Sequence, residues 1–513
     1  MSSRRFYGSW GRWYTSGASA MPRLITQKSF YQYLRCPTWV YFDASQGKRV
    51  LHDSLLERLS DDGLIPEKEK EIISDRPDLA EVTFEDPEEA FRQTLAFMRE
   101  GRETIYRGAL VDGHWVGTPD VLAKVEGRSS FGPYYYVAAD VKHTHEAKDD
   151  HRFQGCFYAE LLKRIQGIKP LHGYVITPDR TVLGYAIEEF ESTYRLTLDA
   201  IERIVAGEKP NHFLTSGCKQ SPWFSECRLE SESCDDLSVV NRVWREEVDL
   251  LRKAGFKTFH ALAALPFAKL KRKVGGAISP VRLGIIWHQA QALREGTHRL
   301  LAPVPFPQAK TELYFDIESD PLRDTEFLFG VLEVREGKEK AEYRAFLARK
   351  PEEEGVAWKE FVAFIEKHPD APIYHYGWFE VETVRRLSSK YGTSAAVRDL
   401  FNRNMIDLLS LLRPCVAFPF PFYSLKDIAS YVGFSWRAGG EAVGTNAVLW
   451  FEQWLASKGK KRSILQKIVD YNEDDVRATW AVKQWAAVQY KQEEREEIAE
   501  KKGRINQVRL KKL

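Results

Sequence analysis

The chain has 513 residues, 43% of them apolar and 13% aromatic, which is globular composition with material for about two to four domains. Its formal net charge is only +2, so attraction to a polyanion must come from local patches rather than from the field of the whole molecule. No apolar run reaches the roughly 18 residues that span a bilayer, and six cysteines without a secretory signal fit a soluble, cytoplasmic protein whose thiols are ligands or core residues.

The first 23 residues, "MSSRRFYGSWGRWYTSGASAMPR", are rich in Arg and Ser, and the first acid is Asp43. Two readings stand: an organelle leader, or an extension ahead of a start at Met21. From Thr26 onward, "SFYQYLRCPTWVYFD" has helical periodicity with a Cys-Pro step at Cys36. Residues 86–106 predict a helix with an acidic first turn. "RGALVDGHWVGTPDVLAKVE" predicts a hairpin broken at Asp-Gly. A third strand, "YYYVAADVKHT", and a helix, "DDHRFQGCFYAELLKRI", follow.

This order places Asp120 on the second strand and Asp140 on the third, with Lys142 on the same face as Asp140. Gln154 and Tyr158 share a face of the next helix. Phosphodiester hydrolysis needs hard divalent cations, and carboxylates with a backbone carbonyl suit Mg²⁺ or Mn²⁺. A neighbouring lysine can position or deprotonate the attacking water. Pro119-Asp120, Asp-x-Lys and Gln-x-x-x-Tyr together resemble the PD-(D/E)XK nuclease superfamily in its RecB-like branch. The resemblance implies a restriction-endonuclease-like core over 24–236. Asp120, Asp140 and His52 (in "VLHDSLLERLSDDG") would be metal ligands, with Lys142, Gln154 and Tyr158 in the catalytic set.

RecB-like nucleases with an iron–sulfur cluster carry an early Cys-Pro cysteine and three later ones, typically as Cys-x2-Cys-x5-Cys. Cys36 fits the early position and "GCKQSPWFSEC" supplies Cys218 and Cys227, with Ser221 at the middle position. Cys234 lies seven residues beyond Cys227 and would complete four thiolates. The resemblance implies a [4Fe–4S] cluster. The same residues suit zinc, and without a metal they are small apolar core residues. Cys156 and Cys415 read as core.

Residues 237–305 predict a helical connector. Between Lys257 and Lys310 there are nine Lys or Arg and one acid, Glu295. "LRKAGFKTFHALAAL" resembles half of a helix-hairpin-helix element, whose glycine turn presents backbone N–H groups to a phosphate. Lys257, Lys269, Lys271, Arg272 and Lys273 are its candidate backbone-tracking contacts; a solvated linker is the alternative.

After Pro307 the pattern turns α/β. "TELYFDIES", "TEFLFGVLEV" and "EYRAFLA" predict a three-strand meander. A helix near 355–367, a strand "APIYHYGWFE" and a helix "VETVRRLSSKYG" follow. Asp316 and Glu318 leave one face of the first strand, a costly arrangement unless a cation neutralises it. Tyr471 and Asp475 share a face of the last helix. Asp-x-Glu on an opening strand, an acid after a middle strand and Tyr-x-x-x-Asp on a late helix resemble the DEDD exonuclease superfamily, with its ribonuclease H-like fold. The resemblance implies Asp316, Glu318, Glu380 and Asp475 as ligands of two cations roughly 4 Å apart. Tyr471 would orient the water. Glu380 stands where aspartate is usual, His375 lies near it, and Asp407 reads as a cap or structural acid.

Residues 24–490 as a whole resemble RecB-family nucleases with a ribonuclease H-like exonuclease domain at the C-terminus. The expectation is an α/β multidomain protein: an extension (1–23), a RecB-like domain (24–236), a basic connector (237–305), a DEDD domain (306–490) and a charged tail (491–513). Its function would be metal-dependent hydrolysis of mostly single-stranded DNA at two sites, with 3′ trimming by the second. An RNA 3′ exonuclease and a nucleic-acid clamp with degenerate sites are the alternatives. There is no Gly-x-x-x-x-Gly-Lys-Ser/Thr loop, so unwinding calls for a separate helicase or a repair or defence complex as partner.

Overall fold

The computed structural model describes residues 24–47, 64–144, 146–337, 341–437 and 446–510, of which 490–510 are described by backbone alone. The chain divides into two compact units. One comprises the residues up to Ser233 with Pro321–Asp324; the other comprises Cys234–Asp320 and the residues from Thr325 on. Among the described residues, no helix is long and apolar enough to cross a membrane.

The first unit opens with β1 (Ile25–Thr26), α1 (Gln27–Arg35) and α2 (Pro37–Gln46). The single predicted helix is two because Pro37 cannot continue α1. Cys36 is extended, at φ −159° and ψ 101°, as the residue before a proline prefers. Next come α3 (Pro66–Ile73), β2 (Leu79–Glu81) and α4 (Pro87–Glu100). Helix α4 starts where Asp86 accepts the Glu89 N–H at 2.9 Å and stops at Gly101 in the left-handed region, a standard pair of end signals.

The chain continues through β3 (Thr104–Tyr106), β4 (Leu110–Asp112), β5 (Trp115–Gly117), β6 (Val121–Ser129), β7 (Gly132–Val141), α5 (Asp149–Gln166), β8 (His172–Ile176), β9 (Val182–Ala186), α6 (Glu191–Val205) and α7 (Phe224–Ser233). The main sheet has the order β2-β3-β6-β7-β8-β9. Strand β6 is antiparallel to both β3 and β7, and β8 is parallel to β7. That parallel step requires a crossover, which α5 supplies. The Asp-Gly hairpin is real but is β4–β5. It leaves the main sheet for a small one with β1, so the predicted two-strand run at 107–126 is three strands in two sheets.

In the second unit, α8 (Arg245–Lys253), α9 (Phe259–Ala264), α10 (Phe267–Val274) and α11 (Pro280–Glu295) lead to β10 (Arg299–Leu300). This segment is integral to the unit rather than a free connector. The Asn241 amide donates to the Pro421 carbonyl at 2.7 Å, and β10 pairs with β16 (Val416–Ala417).

A five-stranded sheet follows, built from β11 (Thr311–Asp320), β12 (Thr325–Arg335), β13 (Glu342–Leu347), β14 (Ile373–His375) and β15 (Met405–Asp407). Its order is β13-β12-β11-β14-β15, with the first three antiparallel and the last two parallel to β11. Helices α12 (Glu354–Ile365), α13 (Phe379–Lys390), α14 (Ala395–Asn404), α15 (Leu408–Leu412), α16 (Leu425–Tyr431), α17 (Asn446–Ala456) and α18 (Arg462–Leu510) complete the unit. The segment expected as a separate charged tail continues α18 as far as Leu510.

Alternation along β11 decides what each side of the sheet does. Leu313, Phe315 and Ile317 join Trp358 and Phe361 of α12 in one core. Tyr314 faces the other way and packs with Tyr374 and Val476 of α18. Asp316 and Glu318 therefore emerge on the α18 side.

Candidate active site

Strand β11 places Asp316 opposite Gly330 and Glu318 opposite Leu328 of β12. Helix α18 crosses this face and delivers Tyr471, Asn472 and Asp475. One carboxylate oxygen from each of Asp316, Glu318 and Asp475 lies within 4.8 Å of the others, the one group of three potential ligands this close among the described residues.

Neighbours hold each acid in place. Asn472 Nδ2 donates to Asp316 Oδ2 at 2.7 Å and to Glu318 Oε1 at 3.3 Å. Trp436 Nε1 donates to Asp475 Oδ1 at 2.6 Å. Lys426 Nζ donates to the Tyr471 hydroxyl at 2.7 Å, which fixes the phenol one helical turn from Asp475 on α18.

The electrostatics are unfavourable by construction. Burial, then Glu318, Asp475 and Glu380, hold the Asp316 carboxyl well above the usual carboxylate range, against the pull of Lys426. Glu318 is raised in the same way by burial, Asp475 and Glu380, while Asn472 and Lys426 oppose. Burial pushes Asp475 up to about 6, opposed by the Trp436 hydrogen bond and Lys426. Burial lowers Lys426, and the three acids pull it back up.

Glu380 stands in the first turn of α13, not on a strand. Strand β14 ends at His375 because Gly377 turns the chain at φ +106° and donates its N–H to Asp407 Oδ1 at 2.9 Å. Asp407 also caps α15 by accepting the Leu409 N–H at 3.0 Å. Glu380 is buried, and its Oε2 makes no hydrogen bond, with His375 Nδ1 3.6 Å away.

A divalent cation fits this set. The donors are hard oxygens, they repel one another, and an acceptor of Glu380 is unsatisfied. Bound there, a cation would lower the pKa of water and neutralise charge on a phosphoryl oxygen. The chain's own residues hold the carboxylates, exclude bulk water and fix the Tyr471 hydroxyl through Lys426.

Residues 313–487, from β11 into α18, match a family described as the "RNase_H superfamily". The C-terminal domain is ribonuclease H-like. A search of curated proteins found no match. The sheet order with β11 at its centre and the acids of β11 and α18 facing each other belong to this domain. The match suggests metal-dependent, nuclease-type activity for this domain.

The first unit has its own acid cluster. Asp120 is not on a strand but immediately precedes β6, after Pro119, which lacks an N–H to give to a ladder. Its Oδ2 accepts the Val141 N–H at 2.8 Å, and its own N–H donates to Asp140 Oδ1 at 3.3 Å. The Tyr158 hydroxyl donates to Asp140 Oδ2 at 3.3 Å, and Lys142 Nζ lies 3.9 Å from the same oxygen. Gln154 is fully buried one turn before Tyr158 on α5. Burial, then Glu69 and Asp140, raise Asp120 well above the usual range, and Lys142 opposes.

Glu69, on α3, had no signal in the sequence. It accepts from the Tyr106 hydroxyl at 2.8 Å and from Arg107 at 3.3 Å. Arg107 has a positive φ of 57°, a strained conformation for a side chain of this size. His52 lies outside the described residues.

Three of the four candidate cluster cysteines converge. Cys36 Sγ is 4.0 Å from Cys227 Sγ and interacts electrostatically with Cys218. Gly217 permits this, since a Cβ there would come within 2.8 Å of the Arg35 carbonyl oxygen. Ser221 is buried and accepts the Trp223 N–H at 3.1 Å. Cys234 is exposed, just past α7, and belongs to the second unit. The interaction with Cys218 favours the Cys36 thiolate, but Cys227 and burial outweigh it and push the thiol up to about 11. Cys156 and Cys415 are buried in apolar cores. Lys257 and the α10 residues Lys269, Lys271, Arg272 and Lys273 are all exposed.

Proposed function

We propose that this protein is a metal-dependent nuclease with two active sites acting on single-stranded DNA, in which the C-terminal site trims 3′ ends. The observation that carries the reading is the meeting of Asp316, Glu318 and Asp475 within 4.8 Å beneath the Tyr471 hydroxyl. Such a set can hold cations that clamp attacking and leaving oxygens, with a phenol to orient water.

The second site, RecB-like, is supported by the order α4–β3–β6–β7–α5–β8. It brings Asp120, Asp140, Lys142 and Tyr158 to one end of the sheet, where Mg²⁺ or Mn²⁺ would bind. The buried thiols of Cys36, Cys218 and Cys227 support a metal centre in the same unit, iron–sulfur in the RecB-like reading. The exposed bases of α10 would follow a phosphate backbone. A non-cleaving clamp is the second reading. Glu380, one methylene longer than aspartate, favours it.

The test is degradation of 5′- and 3′-labelled single-stranded DNA and of RNA of the same sequence, with Mg²⁺, Mn²⁺ or EDTA. It compares wild type with Asp140→Ala, Asp316→Ala and the double variant. Two cation-dependent product sets, each lost in one variant, are expected on DNA. Faster loss of RNA makes the C-terminal site an RNA exonuclease. Binding without cleavage under every cation establishes the clamp.

A further inference from the structure

Glycine is disfavoured inside a central strand, where it adds no packing and costs backbone entropy. Gly330 nevertheless sits in the middle of β12, directly opposite Asp316. A Cβ at this position would overlap Asn472 Oδ1 and come within 2.9 Å of the Tyr343 hydroxyl. The missing side chain thus leaves the space that the Asn472 amide occupies. Asn472 is completely buried, which is unusual for an amide without a set of fixed partners.

Those partners determine its orientation. The Tyr343 hydroxyl donates to Asn472 Oδ1 at 2.8 Å. The nitrogen then faces Asp316 Oδ2 at 2.7 Å and Glu318 Oε1 at 3.3 Å. An amide turned the other way would set an oxygen against two carboxylates. We infer that Asn472, oriented by Tyr343 across the gap left by Gly330, is a positioning residue that holds Asp316 and Glu318 in one geometry for cation binding.

Each carboxylate gives one oxygen to the amide and keeps the other for a cation. Without the amide, mutual repulsion would turn the two groups apart. The inference rests on the reading that Asp316 and Glu318 bind cations, and the experiment separates the two ideas.

Mn²⁺ binding to the full chain is followed by the electron paramagnetic resonance of the free ion, for wild type and the Asp316→Ala, Asn472→Ala, Tyr343→Phe and Tyr343→Phe/Asn472→Ala variants. Asp316→Ala identifies the sites that belong to this cluster. Asn472→Ala weakens those sites by about 10- to 100-fold, the usual cost of removing a group that orients a metal ligand. Tyr343→Phe, which keeps the volume, weakens them less, and the double variant is no weaker than Asn472→Ala alone because both act through one amide.

If Asp316→Ala binds Mn²⁺ like wild type, the cation reading itself fails. If Asp316→Ala loses sites that Asn472→Ala and Tyr343→Phe retain at wild-type affinity, the positioning role is overturned. Additive losses in the double variant remove Tyr343 from the role. Should Asn472→Ala not fold, as judged by circular dichroism, Tyr343→Phe decides alone, and unchanged affinity there overturns the inference.

Discussion

The two acid clusters solve the same problem of burying carboxylates in different ways. In the first unit, Asp120 and Asp140 are joined by backbone N–H groups, and Lys142 is close to Asp140. Glu69 has Tyr106 and Arg107. Much of the negative charge is answered from within the fold. In the ribonuclease H-like domain, Asp316 is raised by burial and by Glu318, Asp475 and Glu380 and opposed by Lys426, which also donates to Tyr471. Among the described residues the second cluster brings one oxygen from each of three acids within 4.8 Å, and that crowding sets its demand for a cation.

Breaking that difference should be most visible in activity. Asp316→Ala is expected to reduce 3′ trimming by about 10³-fold, the scale of losing preorganised charge stabilisation, and to leave first-unit products intact. Lys142→Ala is expected to do the converse, with a loss of about 10²-fold. Cross-silencing would show that the clusters do not act separately.

Cation-dependent stability sharpens the same contrast. The carboxyls of the second cluster are raised in the folded state, so protons favour that state. Without metal, their contribution is fully present below the ordinary carboxylate range near 4; the Asp475 share is lost as pH rises through about 6, and the Asp316 and Glu318 shares are lost as pH rises through their own raised values. At pH 8, Mn²⁺ at 100 times its Kd is expected to return about 2.7 kcal/mol. At pH 5, protons compete and the return is smaller. Scanning calorimetry at both pH values with and without EDTA measures the sign, and a larger cation effect at pH 5 would contradict it.

Lys426→Met is expected to lower the 3′-trimming rate by about 10-fold. Apparent Mn²⁺ affinity should not fall, since the lysine donates to Tyr471 and its charge opposes a bound cation. A kcat against metal-titration comparison reads this directly. The smallest effect is on the resting fold. Asp316→Asn is expected to raise metal-free stability at pH 8 by about 1–2 kcal/mol, because it deletes one of several mutually repelling charges. Urea unfolding in EDTA tests it.

Much of the ribonuclease H-like domain was legible in advance. Strands β11, β12 and β13 lie where the apolar alternation predicted them, and "TELYFDIES" puts both acids on one face through the two-residue period alone. Tyr471 and Asp475 were legible through helical spacing. The helix start at Phe379 was not, because the apolar run through "APIYHYGWFE" conceals the Gly377 turn. Nor was the break at Cys36, although Pro37 marked it. The Asp-Gly hairpin was legible as a turn, but nothing local shows that β4 and β5 desert the main sheet.

What the sequence determined by itself is therefore what local periodicity and chemistry can encode: which residues share a face, which turns interrupt a run, and which acids stand in pairs. The tertiary structure alone decided which groups answer those acids. Asn472, Tyr343, Gly330 and Lys426 come from separate strands and helices and Trp436 from the segment after α16, and they acquire a role only where α18 crosses β11 and β12. In the same way Glu69, from a helix that precedes Asp120 by some fifty residues, adds a like charge that raises Asp120 and is itself met by Tyr106 and Arg107. Periodicity fixes direction within one element, whereas charge compensation depends on distances between elements, and only packing sets those.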